Sequence, residues 1–303
     1  MPRRREMDAY AQRISRVLDH VRAQPAGDLS LAALANVACL SAFHFHRVFK
    51  AATGENLHAL VRRTRLEAAV ARLRASPQAK LSAVALDSGF SSLGAFSRAF
   101  KQQYALSPGF WDRVTPLESS KIVETQGVPL RHDADQLKAM AEAKEFTVVT
   151  HRLPVRRVAY IRVTNPYGNA RDIMTAYGKL KEFAQASLAA DWRATLIGMS
   201  QDDPDVTPLR KCRYDVCLTV PAGVRGEGPV AVREVPAGSV VSVHAAGDVH
   251  MVSRAWEYLF HWWLPRSRWQ PADHPAMEVY RKTPDEIGWE VFDLDCSVPV
   301  SPL

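Results

Sequence analysis

Two six-residue segments of this chain, fifty-one positions apart, share one pattern. Residues 45–50 read Phe-His-Arg-Val-Phe-Lys, and residues 96–101 read Phe-Ser-Arg-Ala-Phe-Lys. Each follows a short apolar stretch with helical spacing and then a turn, which predicts two helix-turn-helix units in tandem. Internal repetition constrains a fold more than any single residue, because each copy must form the same local unit.

The first copy carries the local signals that begin and end helices. Ser30 and Ser41 stand where a hydroxyl can accept a bond from an unpaired N–H at a helix N-terminus. Gly54 stands where a helix ends in a positive-φ residue. We therefore expect a supporting helix from Leu31 and a second helix over 42–53, with its phenylalanines turned inward.

The second copy follows the same plan with one extra residue in its turn. A supporting helix begins near Leu81, the turn contains Gly89-Phe90, and Ser91-Ser92 precede a second helix over 93–104. A long helix between the copies is predicted to connect the two units. The second helices of the two units would then be held about 34 Å apart, the spacing that lets both enter the major groove of one DNA duplex.

With these motifs in order, the stretch 7–114 resembles the DNA-binding domain of the AraC/XylS family of transcription regulators. The resemblance implies an all-α, homeodomain-like tandem helix-turn-helix domain that binds double-stranded DNA. Its motifs here are Leu31-Ala32-Ala33-Leu34-Ala35, the two repeated hexapeptides, Thr53-Gly54, Arg65-Leu66-Glu67-Ala68-Ala69, Gly89-Phe90-Ser91-Ser92 and Ser107-Pro108.

The outward faces of the two second helices are the expected DNA-binding residues. By the resemblance, Phe43, His46 and Arg47 meet bases in the first helix, and Leu93, Gly94, Ser97 and Arg98 do so in the second. The alternative for the two arginines is a phosphate contact or a salt bridge inside the domain. The full expected set is Ala42, Phe43, His46, Arg47, Lys50, Leu93, Gly94, Ser97, Arg98 and Lys101.

The charge distribution is consistent with a polyanion partner for the first third of the chain. Residues 1–115 hold 17 Lys and Arg against 8 Asp and Glu, which leaves 22 and 24 for the remaining residues. Basic charge concentrated on one domain is typical of nucleic-acid binding. On its own, such a bias is equally consistent with a solvated basic surface.

Several classes of protein find no signal in the sequence. There is no apolar run of about twenty residues that would span a membrane, and residues 1–6 lack the apolar region of a signal peptide. The four cysteines show no CxxC pair or metal-ligand spacing. No nucleophile elbow, Walker or dinucleotide-binding pattern is present. We expect a cytoplasmic protein with free thiols, no membrane association, no metal, no cofactor and no catalytic residues.

The remaining chain divides into a connector and a second, duplicated domain. Residues 115–144 read as a linker with a short helix from Ala134, and 145–303 as the second domain. In that domain 151–155 corresponds to 233–237, and a strand, a helix and two further strands follow in each half. Two such halves predict one antiparallel sheet with two main helices, an α+β fold.

The second domain resembles the GyrI-like small-molecule-binding domain. The resemblance implies a cleft between the halves that receives amphipathic or cationic aromatic compounds. The motifs that carry it are Arg157-Val158-Ala159-Tyr160-Ile161-Arg162-Val163, Pro166-Tyr167-Gly168, Asp202-Asp203-Pro204-Asp205, Lys211-Cys212-Arg213-Tyr214-Asp215, Trp256, Leu264-Pro265 and Glu278-Val279-Tyr280.

Glu278 is the expected centre of the ligand site. It lies in mid-strand where the first half has Gly198, whose missing side chain leaves space across the pseudo-twofold axis. A carboxylate in an aromatic cleft is costly unless it is paired, which favours a cationic ligand. The expected ligand-binding set is Glu278, Tyr280, Tyr160, Tyr167, Trp256 and Trp263, with core packing as the alternative for each aromatic residue.

The main hypothesis is therefore a DNA-binding transcription regulator that senses a small-molecule effector through its C-terminal domain. One alternative is an enzyme, since some GyrI-like domains resemble hydrolases that use a cleft glutamate. The other is a C-terminal domain that contacts a protein, RNA polymerase or another partner, without a ligand.

Overall fold

The computed structural model describes residues 4–113, 117, 134–189, 191–272 and 274–303, with side chains except those of 4–9 and 134. Apart from Leu117, the part of the expected linker over 115–133 lies outside the described residues. The chain divides into two compact units. Unit 1 contains 1–119 and 205–207, and unit 2 contains 120–204 and 208–303.

Unit 1 is all-α, as the repeat predicted. Its described residues form six helices: α1 (Arg4–Ala23), α2 (Leu31–Val37), α3 (Ala42–Thr53), α4 (Leu57–Ala75), α5 (Leu81–Asp87) and α6 (Leu93–Tyr104).

The serine caps and the terminal glycine occupy the positions that the sequence predicted. The side chains of Ser30, Ser41 and Ser92 accept bonds from backbone N–H groups at the starts of α2, α3 and α6. Gly54 ends α3 with φ of 70°. These local signals set the helix boundaries before any tertiary contact is made.

Two hydrophobic cores in unit 1 share α4, the predicted connecting helix. Leu57, Leu60 and Val61 belong to the core with α1, α2 and α3. The later turns of α4 contribute to a second core with α5 and α6, to which Val206 also belongs. One helix thus packs against both helix-turn-helix units and fixes their spacing.

The second turn depends on a glycine at a position where no side chain fits. Gly89 has φ of +87°, and a Cβ there would lie 2.6 Å from the Pro25 carbonyl oxygen and 2.7 Å from Arg65 Nε. Arg65 donates a 2.9 Å hydrogen bond to that same carbonyl. The close approach therefore joins the turn before α6 to the segment before α2.

No single helix among the described residues is long and apolar enough to cross a membrane, and the bent pair α2–α3 meets that test only by length and composition.

Unit 2 is an α+β structure with one antiparallel sheet. Its strands are β1 (Val148–Leu153), β2 (Arg156–Thr164), β3 (Leu196–Ser200), β4 (Arg213–Thr219), β5 (Ala231–Val235), β6 (Gly238–Gly247), β7 (Trp269–Pro271), β8 (Ala276–Lys282) and β9 (Phe292–Pro302). Its helices are α7 (Ala134–Glu142), α8 (Ala170–Ser187), α9 (Val249–Glu257) and the short α10 (Pro284–Ile287). The predicted fold class is confirmed for both parts of the chain.

The strand order shows how the two halves of the duplication combine. The order is β1-β6-β9-β8-β3-β4-β2-β5, with β7 paired to the outer part of β9. The halves meet at the antiparallel pair β3–β8. In addition, β1 of the first half pairs with β6 of the second, and β5 of the second pairs with β2 of the first. Each half therefore lends its opening strand to the other.

Two helical segments differ from the sequence expectation. Helix α7, expected in the connector, packs into the core of unit 2 through Leu137 and Met140. The helix expected in the second half of the duplication ends as an α-helix at Glu257 and continues as a π-helical segment over Tyr258–Trp263. Such segments follow i→i+5 bonding, which hydrophobic spacing alone does not distinguish from an α-helix.

Candidate functional site

The outward face of α3 presents the expected DNA-binding residues to solvent. Ala42, Phe43, His46, Arg47 and Lys50 are all exposed. The phenyl ring of Phe43 is 71% exposed, although large apolar side chains are usually buried, and the Arg47 guanidinium lies 5.9 Å from its centroid. The inward residues Phe45 and Phe49 are fully buried, so the outward side chains can change without loss of the core.

Helix α6 presents a similar but less polar face. Leu93, Gly94, Arg98 and Lys101 are exposed and Ser97 is half-buried. Because Gly94 has no side chain, the Arg98 guanidinium lies close beside the helix backbone: a Cβ on Gly94 would be 3.5 Å from Arg98 Nη1.

The two arginines at the repeated positions are not held by carboxylates. Within the part of the chain that the structure describes, neither Arg47 nor Arg98 forms an ion pair. A salt bridge inside the domain, the alternative role, is therefore not formed between described residues. Each guanidinium presents its N–H donors to solvent, in the form that binds phosphates or guanine edges.

In unit 2, Glu278 lies at the centre of the sheet. It is on β8, directly opposite Gly198 on β3 in the register of the central strand pair. Tyr214 Oη donates a 2.5 Å hydrogen bond to Glu278 Oε2, and Trp256 Nε1 donates a 3.2 Å bond to Oε1. Desolvation raises the pKa of the Glu278 carboxyl above its ordinary value, and the two hydrogen bonds partly oppose that rise.

Three tyrosines surround the carboxylate. The hydroxyls of Tyr214 and Tyr280 lie close enough to affect each other's pKa, and Tyr167 lies within electrostatic range of Glu278. Burial is the first cause that raises the pKa of each phenol, and the negative charge of Glu278 adds to it. The three phenols are therefore neutral at physiological pH, and Tyr214 donates to the carboxylate.

The cleft beside Glu278 is closed by these side chains. The cavity there has a volume of about 10 Å³ and is lined by Gly198, Tyr214, Tyr280, Tyr177, Trp289 and aliphatic neighbours. That volume is at the lower limit for a single water molecule. A Cβ on Gly198 would lie 1.6 Å from Tyr214 Oη, so the space that the glycine leaves is filled by this tyrosine.

Two other buried carboxylates of unit 2 each have a cationic partner. Asp215, whose side chain is inaccessible to solvent, pairs with Arg162 at 2.7 Å and with Arg233 at 2.9 Å. Asp202 is likewise inaccessible and pairs with Arg213. Glu278 has no cationic partner among the described residues, only neutral donors.

The structure does not bring every expected ligand residue to Glu278. Tyr160 is buried on the opposite face with Met277, and its ring lies 4.6 Å from the Arg233 guanidinium. Met277 and Glu278 are adjacent on β8, so their side chains lie on opposite faces of the sheet, and Tyr160 lies on the face of Met277. Trp263 lines a different cavity that shares no residue with the cleft. Tyr280, Tyr167 and Trp256 do lie near Glu278.

The sequence-based set lacks Tyr214, which bonds to Glu278, and also Tyr177 and Trp289 of the cleft lining. Tyr214 lies on β4, two residues before Val216, the register partner of Gly198. A glycine in mid-strand often marks a close approach by another group. Gly198 was therefore the sequence signal that could have pointed to a side chain such as Tyr214.

Within the described residues, no group of three or more His, Cys, Asp or Glu side chains is arranged to hold a metal ion. The four cysteines are free thiols, with Cys39 exposed and the others buried.

Comparison with known proteins assigns both parts of the chain. Residues 147–300, half of the chain, match the family model of the GyrI-like small molecule binding domain. Residues 34–113 match a helix-turn-helix domain model.

Curated relatives align with the first part of the chain. A putative transcriptional regulator YosT of Bacillus subtilis is 28% identical over 115 residues, covering 37% of this chain and 74% of that protein. The probable transcriptional regulator LumQ of Photobacterium leiognathi is 42% identical over 80 residues, 26% of this chain and 32% of that protein. The alignment thus spans about a third of LumQ.

Among solved structures, EcmrR in a complex with DNA aligns with 90% of this chain and 99% of its own, with 13% identity and a TM-score of 0.47.

The matched model covers Glu278 and the duplicated sheet as far as Val300 of β9, and the helix-turn-helix match covers α3 and α6. The chain belongs to the family with a GyrI-like small molecule binding domain, which it joins to an AraC-type helix-turn-helix domain.

Proposed function

We propose that this protein regulates transcription by binding duplex DNA through α3 and α6, and that an amphipathic organic cation binds at Glu278. The DNA-binding domain in this proposal is 7–114, joined by 115–144 to the ligand-binding domain 145–303. The ligand-binding set is Glu278, Tyr214, Tyr280, Tyr167 and Trp256.

The observation that carries the ligand proposal is the missing counter-ion of Glu278. A desolvated carboxylate is costly unless a charge compensates it. In the same unit, Asp202 and Asp215 each have arginine partners, whereas Glu278 receives only neutral hydrogen bonds. A cation from outside the chain would supply the charge, and the surrounding rings would contact its aromatic groups.

Such a ligand must open the cleft. The present cavity of about 10 Å³ admits no organic molecule. Tyr214 and Trp256 occupy the two carboxylate oxygens, so the ligand replaces at least one of these donors. The closed cleft is then the ligand-free state, and ligand binding stabilises an alternative arrangement of the same side chains.

Regulation follows from the difference between these states. A ligand changes DNA affinity only by as much as its own affinity differs between the DNA-bound and the free forms. The reciprocal effect must hold as well, so operator DNA changes the affinity for the cation by the same factor.

The ligand proposal is tested by calorimetric titration with two ions of matched shape and opposite charge, tetraphenylphosphonium and tetraphenylborate. We expect the cation to bind more tightly, and Glu278→Gln to reduce its affinity by about tenfold or more. The matched control is Glu290→Gln, the same change at an exposed residue. An equal loss of affinity for the two ions in Glu278→Gln would contradict the role of the charge.

The DNA proposal is tested by selecting bound duplexes from a random pool and measuring affinity by fluorescence anisotropy. Arg47→Ala should weaken binding to the selected site by about 1–3 kcal/mol if the guanidinium makes a bidentate base contact. Arg16, exposed on α1, is the control position. Affinity should also fall steeply with salt, and a flat salt response would exclude phosphate contacts.

A further inference from the structure

A second cavity in unit 2 lies apart from the Glu278 cleft and has a different chemistry. Its volume is about 340 Å³, within the range of small-molecule sites. It follows the π-helical segment and is walled by three half-buried indoles and two exposed guanidiniums: Trp262, Trp263, Trp269, Arg266 and Arg268. We call this cavity the tryptophan groove.

The π-helical segment brings two consecutive tryptophans to one groove. In an α-helix adjacent side chains diverge by about 100°, so Trp262 and Trp263 would not be expected to share a wall. Bonding of the i→i+5 type winds the turn more widely and reduces that divergence, and such segments are frequent at functional sites.

The arginine side of the groove is held in place by local bonds. The Arg266 guanidinium lies 3.8 Å from the Trp262 ring centroid and donates to the Trp262 carbonyl at 2.9 Å. The Ser267 hydroxyl donates to the Leu264 carbonyl at 3.0 Å and accepts from the Trp269 N–H at 3.1 Å. Main-chain pairing of Trp269 with Pro302 attaches this loop to β9. The groove is therefore formed before any ligand arrives, which lowers the entropy cost of binding.

The charge of the groove selects the sign of its ligand. No described lining residue is a carboxylate, and neither Arg266 nor Arg268 forms an ion pair with a described residue. The indole faces would attract a cation, but Arg266 already occupies the face of Trp262. Two guanidiniums beside three aromatic walls match a planar aromatic ring that carries a carboxylate or sulfonate.

We propose that the tryptophan groove binds a small planar aromatic anion, independently of the cation site at Glu278. A protein partner is a different class of occupant. The volume of about 340 Å³ and the grouping of three indoles with two guanidiniums favour the small molecule.

The test uses 2-naphthoate as the probe, with 2-naphthamide as its neutral analogue and full-length protein in calorimetry. We expect 2-naphthoate to bind once per chain and more tightly than the amide. The double variant Arg266→Gln/Arg268→Gln should lose about tenfold or more in affinity for the anion, with little change for the amide. Arg225→Gln, the same change at an exposed arginine elsewhere in unit 2, should bind as the unchanged protein does.

Separate outcomes identify the site and the class of ligand. Unchanged 2-naphthoate binding in Glu278→Gln supports a site distinct from the cleft. This proposal is therefore tested independently of the proposed function. Equal binding of acid and amide, no binding of the acid at millimolar concentration, or full affinity in the double variant would overturn it. Equally effective competition by penta-glutamate, which has no aromatic group, would also overturn it in favour of an acidic peptide.

Discussion

Gly198 and Glu278 face each other across the central strand pair of the sheet, at equivalent positions of the two halves. Gly198 has no side chain where the second half has a charged one. The Tyr214 hydroxyl occupies the space beside the glycine and donates to Glu278. The pseudo-twofold symmetry is therefore broken at its axis, and the asymmetry creates a single carboxylate site.

Adding one methyl group at the glycine should disturb this arrangement. In Gly198→Ala the new Cβ would lie 1.6 Å from Tyr214 Oη, so the tyrosine must leave Glu278. Overpacking of this kind costs about 1–3 kcal/mol, measurable by urea unfolding. Gly178→Ala on α8, where nothing lies within 4 Å, should instead stabilise the protein by about 0.5–1 kcal/mol. Equal effects at both positions would argue against the contact with Tyr214.

Stability should depend on pH through Glu278. Its folded-state pKa is raised, so the folded state binds the proton more tightly than the unfolded state does. The free energy of unfolding should fall as pH rises from the ordinary value of 4.5 through the raised folded pKa, and then level off. Glu278→Gln removes this titration and should gain stability, relative to the unchanged protein, as pH rises. Urea unfolding between about pH 4 and about pH 8 measures the difference, and parallel pH profiles would contradict it.

Cation binding should show the opposite pH trend. In the proposed site the cation requires an ionised carboxylate, so tetraphenylphosphonium affinity should increase as pH rises through the raised folded pKa of Glu278. Calorimetry over the same pH range measures this. An affinity that is independent of pH would place the cation elsewhere.

The arginine-paired aspartate should behave as a structural residue. Asp215→Asn leaves the buried charges of Arg162 and Arg233 without their carboxylate, a loss of about 3–5 kcal/mol in unfolding free energy. Asp191→Asn, at an exposed position, is the control and should have little effect. A small loss at Asp215 would show that the pairing is weaker than its geometry indicates.

Two phenylalanines of α3, two residues apart, should separate stability from DNA binding. Phe45 is fully buried, so Phe45→Ala should cost about 3–5 kcal/mol of unfolding free energy. Phe43 is 71% exposed, so Phe43→Ala should change stability by no more than about 0.5 kcal/mol. If α3 enters the groove of DNA, Phe43→Ala weakens the affinity for the selected duplex. An unchanged affinity for the duplex in Phe43→Ala would exclude Phe43 from the interface.

The helices of unit 1 were predictable because their signals are local. Ser41 caps α3 and Gly54 ends it, and both act within one turn of the helix they bound. The buried phenylalanines follow directly from the same spacing, as do the exposed positions of Arg47 and Arg98.

The cleft of unit 2 was predictable only in part, because sheet contacts are set by distant residues. The alternation of β8 placed Glu278 and Tyr280 on one face, but the side of the sheet that Tyr160 occupies depends on pairing with β4 and β5. The closure of the cleft by Tyr214 needs the register of three strands. Likewise, the groove around Trp262 and Trp263 depends on a π-helical turn that no residue pattern announces.

The exchange of opening strands limits how this sheet can change shape. Since β1 is bonded to β6 and β5 to β2, the two halves are interlocked at their outer edges as well as along β3–β8. Separating the two halves would break three strand pairs at once: β1–β6, β2–β5 and β3–β8. Any structural change that accommodates a ligand must therefore come from movements of aromatic side chains and helices over an unchanged sheet backbone. For the same reason, we expect the two halves to unfold in one cooperative transition.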